Sequence, residues 1–111
     1  IRYNRMIDAF EQAPKAKLGG ASYTWVNESC KQFEYMFNNI NKIQTPFILF
    51  SAENDGIIEI NAHQEFVKKA KSLNKNCEAY SIKNAKHELL IEKDSYRIST
   101  INKTLHFLDK F

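Results

Sequence analysis

The sequence has little cysteine and little glycine, and each scarcity excludes a class of site. Its two cysteines, Cys30 and Cys77, lie far apart and form no Cys-x-x-Cys pair, which argues against a disulfide framework and against zinc. Only three glycines occur, Gly19, Gly20 and Gly56, and they form no glycine-rich phosphate loop. We therefore expect no metal and no cofactor.

Long apolar runs are also missing, and the charge is nearly balanced. No run is long enough to cross a bilayer, and no signal peptide is recognisable. The 16 Lys and Arg against 13 Asp and Glu give a formal net charge of +3, dispersed along the chain. This balance does not indicate nucleic-acid binding, although it is compatible with weak contact to an anionic membrane surface.

The size of the chain limits its core. The 111 residues, 43% of them hydrophobic, suffice for one small domain with a modest core. The sequence does not begin with methionine, and we expect it to be a piece of a longer protein.

The N-terminal third predicts two amphipathic helices. The first covers about residues 1–13 and ends at Pro14, with an apolar stripe of Tyr3, Met6, Ile7 and Phe10. The second covers about residues 23–40 and is capped by Ser22 or Thr24.

The rest of the sequence predicts the order strand, helix, strand, helix. Residues 47–51 are continuously apolar, as in a parallel strand buried on both faces, and residues 77–82 alternate. Between them Asn61 is expected to cap a helix that ends near Leu73, and a last helix follows, capped by Asp94 or Ser95. A crossover helix of this kind makes the two strands parallel and adjacent neighbours.

Two strands are too few for an open α/β sheet. The strand at Phe47–Phe50 would keep an unpaired neighbour and uncovered surface. We therefore expect more chain to belong with these residues, and expect the isolated piece to self-associate through its exposed sheet edge.

An acid and a histidine follow the two predicted strands, each in the loop directly after a strand end. Asp55 follows the first strand and His87 follows the second, so both would meet at one edge of a parallel sheet. A carboxylate that orients a histidine is the acid and base arrangement of a hydrolase triad. The simpler alternatives are that Asp55 only forms the Asn-Asp-Gly turn and that His87 is a surface loop residue.

Other residues could serve as the acid or as the histidine. Glu53, Glu59, Glu88 and Glu92 are alternative acids, although Glu59 could instead start the middle helix before Asn61 and Glu92 is also a candidate cap of the last helix. His63, within the middle helix, is interpreted as a solvated helix residue. His106, in the last helix, is interpreted as a packing or surface residue.

The nucleophile of such a triad is missing from the sequence. A nucleophile elbow has the pattern G-x-S-x-G, which the three glycines do not form. The nearest match, residues 20–24, lacks the second glycine and a preceding strand, and is more simply a loop and a helix cap. In α/β-hydrolases the serine precedes the acid, so we expect it before residue 1.

Three stretches together carry a family resemblance. They are LGGASYTWVNES at 18–29, TPFILFSAEND at 45–55 and KNAKHELLIEKD at 83–94. The sequence resembles the C-terminal part of bacterial lysophospholipases of the α/β-hydrolase superfamily, a group related to monoacylglycerol lipases and serine aminopeptidases.

The resemblance implies an α/β fold, with cap-region helices in residues 1–41 and the C-terminal part of the hydrolase core in 42–111. It implies that Asp55 is the triad acid and His87 the triad histidine. It also implies a lysophospholipid or other acyl ester as substrate and a cytoplasmic location, at most peripheral to the inner membrane. The serine and the oxyanion hole have no counterpart here, so we expect this chain alone to be inactive. A monoacylglycerol lipase, an aminopeptidase and a non-catalytic interaction domain are the alternatives.

Overall fold

The computed structural model describes residues 2–17 and 19–111, and within them it has the predicted order of helices and strands. The elements are α1 (Arg2–Gln12), α2 (Tyr23–Asn38), β1 (Phe47–Ala52), α3 (Ile60–Ser72), β2 (Cys77–Ile82) and α4 (Asp94–Leu108), with short 3-10 turns at Pro14–Ala16 and Ile40–Lys42. The predictions that involve Ile1, Leu18 and the side chain of Tyr3 lie outside what is described. None of the described helices has both the length and the apolar character that a bilayer crossing requires.

The chain forms two compact units, of which the first ends at Phe37 and the second begins at Asn38. In the first unit, Ser22 is the cap of α2, because its Oγ accepts a hydrogen bond from the Trp25 N–H at 3.1 Å. Pro14 opens a 3-10 turn instead of extending α1, as its effect on the preceding residue predicts. The assignment of the first unit to a cap region stays a prediction.

The second unit contains a parallel sheet of β1 and β2. The strands pair in register, from Phe47 opposite Cys77 to Ala52 opposite Ile82. This arrangement confirms the prediction of two adjacent parallel strands. Because the register is even, the two strands end side by side, and the loops that follow them leave the sheet at the same edge.

A buried cluster of this unit includes the last residue of each strand. Ala52, Ile82 and Ala85 are buried there, and Phe50, Leu89 and Tyr96 pack against them. The small Ala52 and Ala85 side chains allow the two loops to approach each other closely. The core thus supports the strand ends, from which the loops that carry Asp55 and His87 begin.

The predicted caps Asn61 of α3 and Asp94 or Ser95 of α4 are wrong, whereas Glu59, the alternative start of α3, holds its N-cap position and Glu92, the other candidate for α4, accepts from the Lys93 N–H at 3.0 Å. The N-cap positions are Glu59 and Lys93, and neither side chain makes a capping hydrogen bond. Asn61 lies inside α3, while Asp94 is the first residue of α4. The preceding loops instead satisfy part of the exposed backbone, as when the Ala62 N–H donates to the Glu59 carbonyl at 3.1 Å.

We expect Ile40→Ala to lower the free energy of unfolding by about 2–5 kcal/mol, since Ile40 is the largest fully buried side chain in the described residues. Ile57→Ala is the matched control: Ile57 is 72% exposed, and its truncation should cost less than about 0.5 kcal/mol. Urea denaturation followed by circular dichroism measures both. Equal costs would contradict the observed packing.

We also propose that the chain self-associates through its sheet. In the described residues β1 and β2 pair only with each other, so each strand has an unpaired edge. Light scattering coupled to size exclusion should show a mass that rises with concentration. A constant monomer mass across a hundredfold range of concentration would contradict this proposal.

Candidate active site

Asp55 and His87 meet at the carboxyl ends of the two strands. The loop after Ala52 carries Asp55, and the loop after Ile82 carries His87. The His87 Nδ1 lies 2.8 Å from Asp55 Oδ2. The structure therefore brings together the two residues selected from the sequence, while their catalytic role stays a prediction.

The Asp55 carboxylate also forms the turn that its sequence context predicts. Its Oδ1 accepts hydrogen bonds from the N–H groups of Ile57 at 2.8 Å and Ile58 at 3.0 Å. One oxygen thus fixes the loop while the other contacts His87. The two interpretations of Asp55 are compatible, because the turn aims the second oxygen at the imidazole.

The pKa of Asp55 is lowered by its hydrogen bonds. Burial raises the pKa of this carboxyl, whose side chain is only 4% exposed, but the hydrogen bonds from Ile58, His87 and Ile57 and the charge of His87 outweigh burial. The net effect lowers the pKa from 3.8 to about 2. Asp55 is therefore an anion at neutral pH and can only accept hydrogen bonds.

The ionised carboxylate determines where the neutral imidazole of His87 carries its proton. Because Asp55 Oδ2 accepts, Nδ1 must donate, and the lone pair is then on Nε2. The His87 side chain is 35% exposed, and within residues 2–17 and 19–111 its hydrogen bond goes to Asp55. The arrangement presents a basic nitrogen at the sheet edge and holds the ring from the opposite side.

The backbones of the two loops are joined to each other. The Glu53 N–H donates to the Ile82 carbonyl at 3.1 Å, and the Asn54 N–H donates to the Ala85 carbonyl at 2.9 Å. These bonds continue the contact between the strands past their ends. The loops thus approach as one unit, and the Asp55–His87 distance does not depend on side chains alone.

Two of the alternative acids bind the backbone of the loop that carries His87, residues 83–93, called the histidine loop below. Glu53 Oε2 accepts from the Asn84 N–H at 2.8 Å, and Glu92 Oε1 accepts from the Lys86 N–H at 2.8 Å. Asn84 has a φ of 59°, a left-handed conformation that asparagine tolerates and that turns the chain toward His87. Sequence reasoning identified Glu53 and Glu92 as acids but missed this role, since nothing in their spacing distinguishes a backbone acceptor from a side-chain partner.

Of the other two alternative acids, one has a different partner and the other is exposed. Glu59 Oε1 accepts from the Asn61 side-chain amide at 3.4 Å, and Glu88 is exposed. Asp55 is therefore the acid that the geometry selects as the partner of His87.

The prediction that His63 is a solvated helix residue is wrong. Its Nδ1 lies 2.8 Å from the hydroxyl of Ser51, which is only 8% exposed, and the ring is half-buried. The bond attaches the first turn of α3 to the end of β1, and so closes the loop that contains Asp55. His106 is exposed on α4, in keeping with a surface residue.

A cavity of about 490 Å³ lies between α3 and the sheet, away from the Asp55–His87 contact. Its lining includes Leu49, Ser51, His63, Val67 and Tyr80, but neither Asp55 nor His87. The lining is therefore not the surface that would present an ester to Nε2 of the histidine.

We expect Asp55 to make stability depend on pH. Its folded pKa is depressed, so its contribution is fully present above about pH 4 and is lost as the pH falls toward 2. After allowance for screening by solvent, the contribution is on the order of 1–2 kcal/mol. Asp55→Asn should remove this part of the acid dependence in urea titrations between pH 2 and 6, whereas Asp109→Asn, at an exposed position, should keep it. Identical acid profiles for Asp55→Asn and the unsubstituted chain would contradict the geometry.

Comparison with known proteins places the chain among hydrolases. Residues 1–94 match the family model described as serine aminopeptidase, S33, and this match includes Asp55 and His87. No solved structure gives a significant match.

Curated relatives carry a more specific name. Lysophospholipase L2 of Escherichia coli (strain K12) is 28% identical over 112 residues, which cover 98% of this chain and 33% of the relative. The probable lysophospholipase L2 of Haemophilus influenzae is 31% identical over 96 residues, which cover 86% of this chain and 29% of the relative. The chain thus spans about a third of the length of these relatives.

The strand, helix, strand, helix order with two parallel strands fits a part of the α/β-hydrolase fold, as the sequence predicted. Since the family model covers most of the sequence, the chain belongs to the serine aminopeptidase, S33 family of α/β-hydrolases.

Proposed function

We propose that this chain supplies the acid and the histidine of a Ser-Asp-His triad in a hydrolase that cleaves the acyl ester of lysophospholipids. The observation that carries the proposal is the 2.8 Å contact between His87 Nδ1 and Asp55 Oδ2. The family match and the names of the curated relatives support the hydrolase class and the lipid substrate.

In the proposed reaction, Nε2 of His87 takes the proton of a serine hydroxyl as the serine oxygen attacks the acyl carbonyl carbon. Asp55 holds the ring and stabilises the imidazolium that forms. An oxyanion hole stabilises the negative oxygen of the tetrahedral intermediate. The imidazolium then returns the proton to the leaving alcohol, which carries the lipid headgroup.

The second half of the reaction releases the fatty acid. His87 takes a proton from water, which attacks the acyl-serine, and the proton then passes to the serine oxygen as the acyl bond breaks. The serine and the oxyanion hole belong to residues outside this sequence, which has no G-x-S-x-G pattern. In this proposal the chain provides proton transfer but no nucleophile.

Two enzyme alternatives share this chemistry and differ in substrate. A monoacylglycerol lipase would use the same triad on a neutral lipid, and an aminopeptidase, which the family description names, would use it on an amide. A non-catalytic interaction domain is the alternative from another class. It gives no reason for a nearly buried carboxylate to orient a half-exposed imidazole, so the Asp55–His87 geometry favours an enzyme.

The proposal predicts activity for the longest natural protein that contains these residues. It should release fatty acid from lysophosphatidylethanolamine faster than from monoacylglycerol, and should release no p-nitroaniline from aminoacyl p-nitroanilides. His87→Ala and Asp55→Asn should each lower kcat by about ten-thousand-fold. His106→Ala replaces an exposed histidine and should leave kcat within about twofold.

The outcomes of this assay separate the alternatives. Preference for monoacylglycerol or for the anilide would replace the substrate but keep the triad. Unchanged turnover in His87→Ala would contradict the triad itself.

The 111-residue chain alone should not hydrolyse p-nitrophenyl esters above the background rate, because it lacks a nucleophile elbow. The assay is spectrophotometric, with the purified chain in micromolar excess over any contaminating esterase. Turnover that Asp55→Ala or His87→Ala abolishes would contradict this prediction.

A further inference from the structure

We propose that Glu92 is a positioning residue for His87, acting through the peptide group between Ala85 and Lys86. Glu92 Oε1 accepts a hydrogen bond from the Lys86 N–H at 2.8 Å. The carbonyl of the same peptide group, that of Ala85, accepts from the Asn54 N–H at 2.9 Å. Both polar ends of this one planar group are therefore held.

The two partners of this peptide group come from opposite directions. Asn54 directly precedes Asp55, so its bond ties the histidine loop to the aspartate loop. Glu92 lies on the far side of His87 and ties the start of the loop to its end. Because a peptide group is rigid, fixing both ends sets the direction in which the chain enters His87.

The second oxygen of Glu92 secures the carboxylate itself. Oε2 accepts from the Lys93 N–H at 3.0 Å, immediately before α4 begins. A carboxylate at this position is favoured by the helix dipole and satisfies an N–H that the helix leaves free. The Glu92 side chain is half-buried, which limits its motion.

The charge on Glu92 strengthens both contacts. The backbone hydrogen bonds from Lys86 and Lys93 lower the pKa of Glu92, outweighing the effect of burial. The group is thus ionised at neutral pH, and hydrogen bonds to an ionised acceptor are stronger than those to a neutral one.

Two further hydrogen bonds within the loop are local. The Leu89 N–H donates to the His87 carbonyl at 3.1 Å, and the Ile91 N–H donates to the Glu88 carbonyl at 3.0 Å. These turns shape the segment after His87 but do not reach Lys86. Glu92 joins the two ends of the loop directly, through its bond to the Lys86 N–H, and its effect on catalysis rests on the proposed function of His87.

The test is nuclear magnetic resonance of the 15N-labelled 111-residue chain, with Glu92→Ala, Glu92→Gln and the control Glu88→Gln. Glu88 adjoins His87 and is exposed, so its substitution changes the same charge without touching the tie. Two quantities are measured: the rate of hydrogen exchange at the Lys86 amide, and the tautomer of the His87 ring from its 15N shifts.

Glu92→Ala should speed exchange at Lys86 by about tenfold and should mix the His87 tautomers, because the Nδ1–H contact is no longer held in one geometry. Glu92→Gln keeps one acceptor oxygen and should give intermediate values for both quantities. If Glu92→Ala does not fold, the values of Glu92→Gln decide the outcome. Glu88→Gln should match the unsubstituted chain.

The proposal is overturned if both Glu92 variants stay within twofold of the unsubstituted chain in exchange and keep its tautomer. It is equally overturned if Glu88→Gln produces the same changes, since the effect would then be one of charge. A wild-type His87 without the Nδ1–H tautomer would contradict the proposed triad, whereas exchange at Lys86 would still report on Glu92.

Discussion

The in-register parallel pairing of β1 with β2 is the constraint on which the rest of the second unit depends. Because Ala52 lies opposite Ile82, two loops that are distant in sequence start at neighbouring points of one edge. The backbone bonds from Glu53 and Asn54 then keep the loops together beyond the strands. A shift of one residue in register would turn side chains to the opposite face and separate Asp55 from His87.

Carboxylates at this edge of the sheet bind two kinds of donor: an imidazole ring and main-chain N–H groups. Asp55 accepts from an imidazole and from its own turn, and so connects loop geometry to proton chemistry. Glu53 and Glu92 accept only backbone N–H groups of the histidine loop in the contacts described above. Asp55, in the loop that follows β1, reaches the His87 ring, whereas Glu53 and Glu92 reach the main-chain amides of Asn84 and Lys86.

The sequence predicted the strands and the acid–histidine pair well, because apolar runs and parallel topology determine where strands end. It selected Asp55 from its place after a strand end, but it could not predict that Glu53 and Glu92 bind the backbone of the loop that carries His87, since that depends on atomic distances and not on pattern. The caps assigned to Asn61 and Asp94 were wrong because a preceding loop can satisfy a helix end without a side-chain cap. His63 was misassigned for a similar reason: its partner, Ser51, is contributed by the strand before its helix.

The central claim is that Asp55 and His87 are coupled energetically as well as close in space. A double-mutant cycle with Asp55→Ala, His87→Ala and the double variant, by urea denaturation at pH 7, measures this coupling. The account predicts a coupling free energy of about 0.5–3 kcal/mol, and a parallel cycle between Asp55 and the exposed His106 should give about zero. A coupling of zero between Asp55 and His87 would contradict the account.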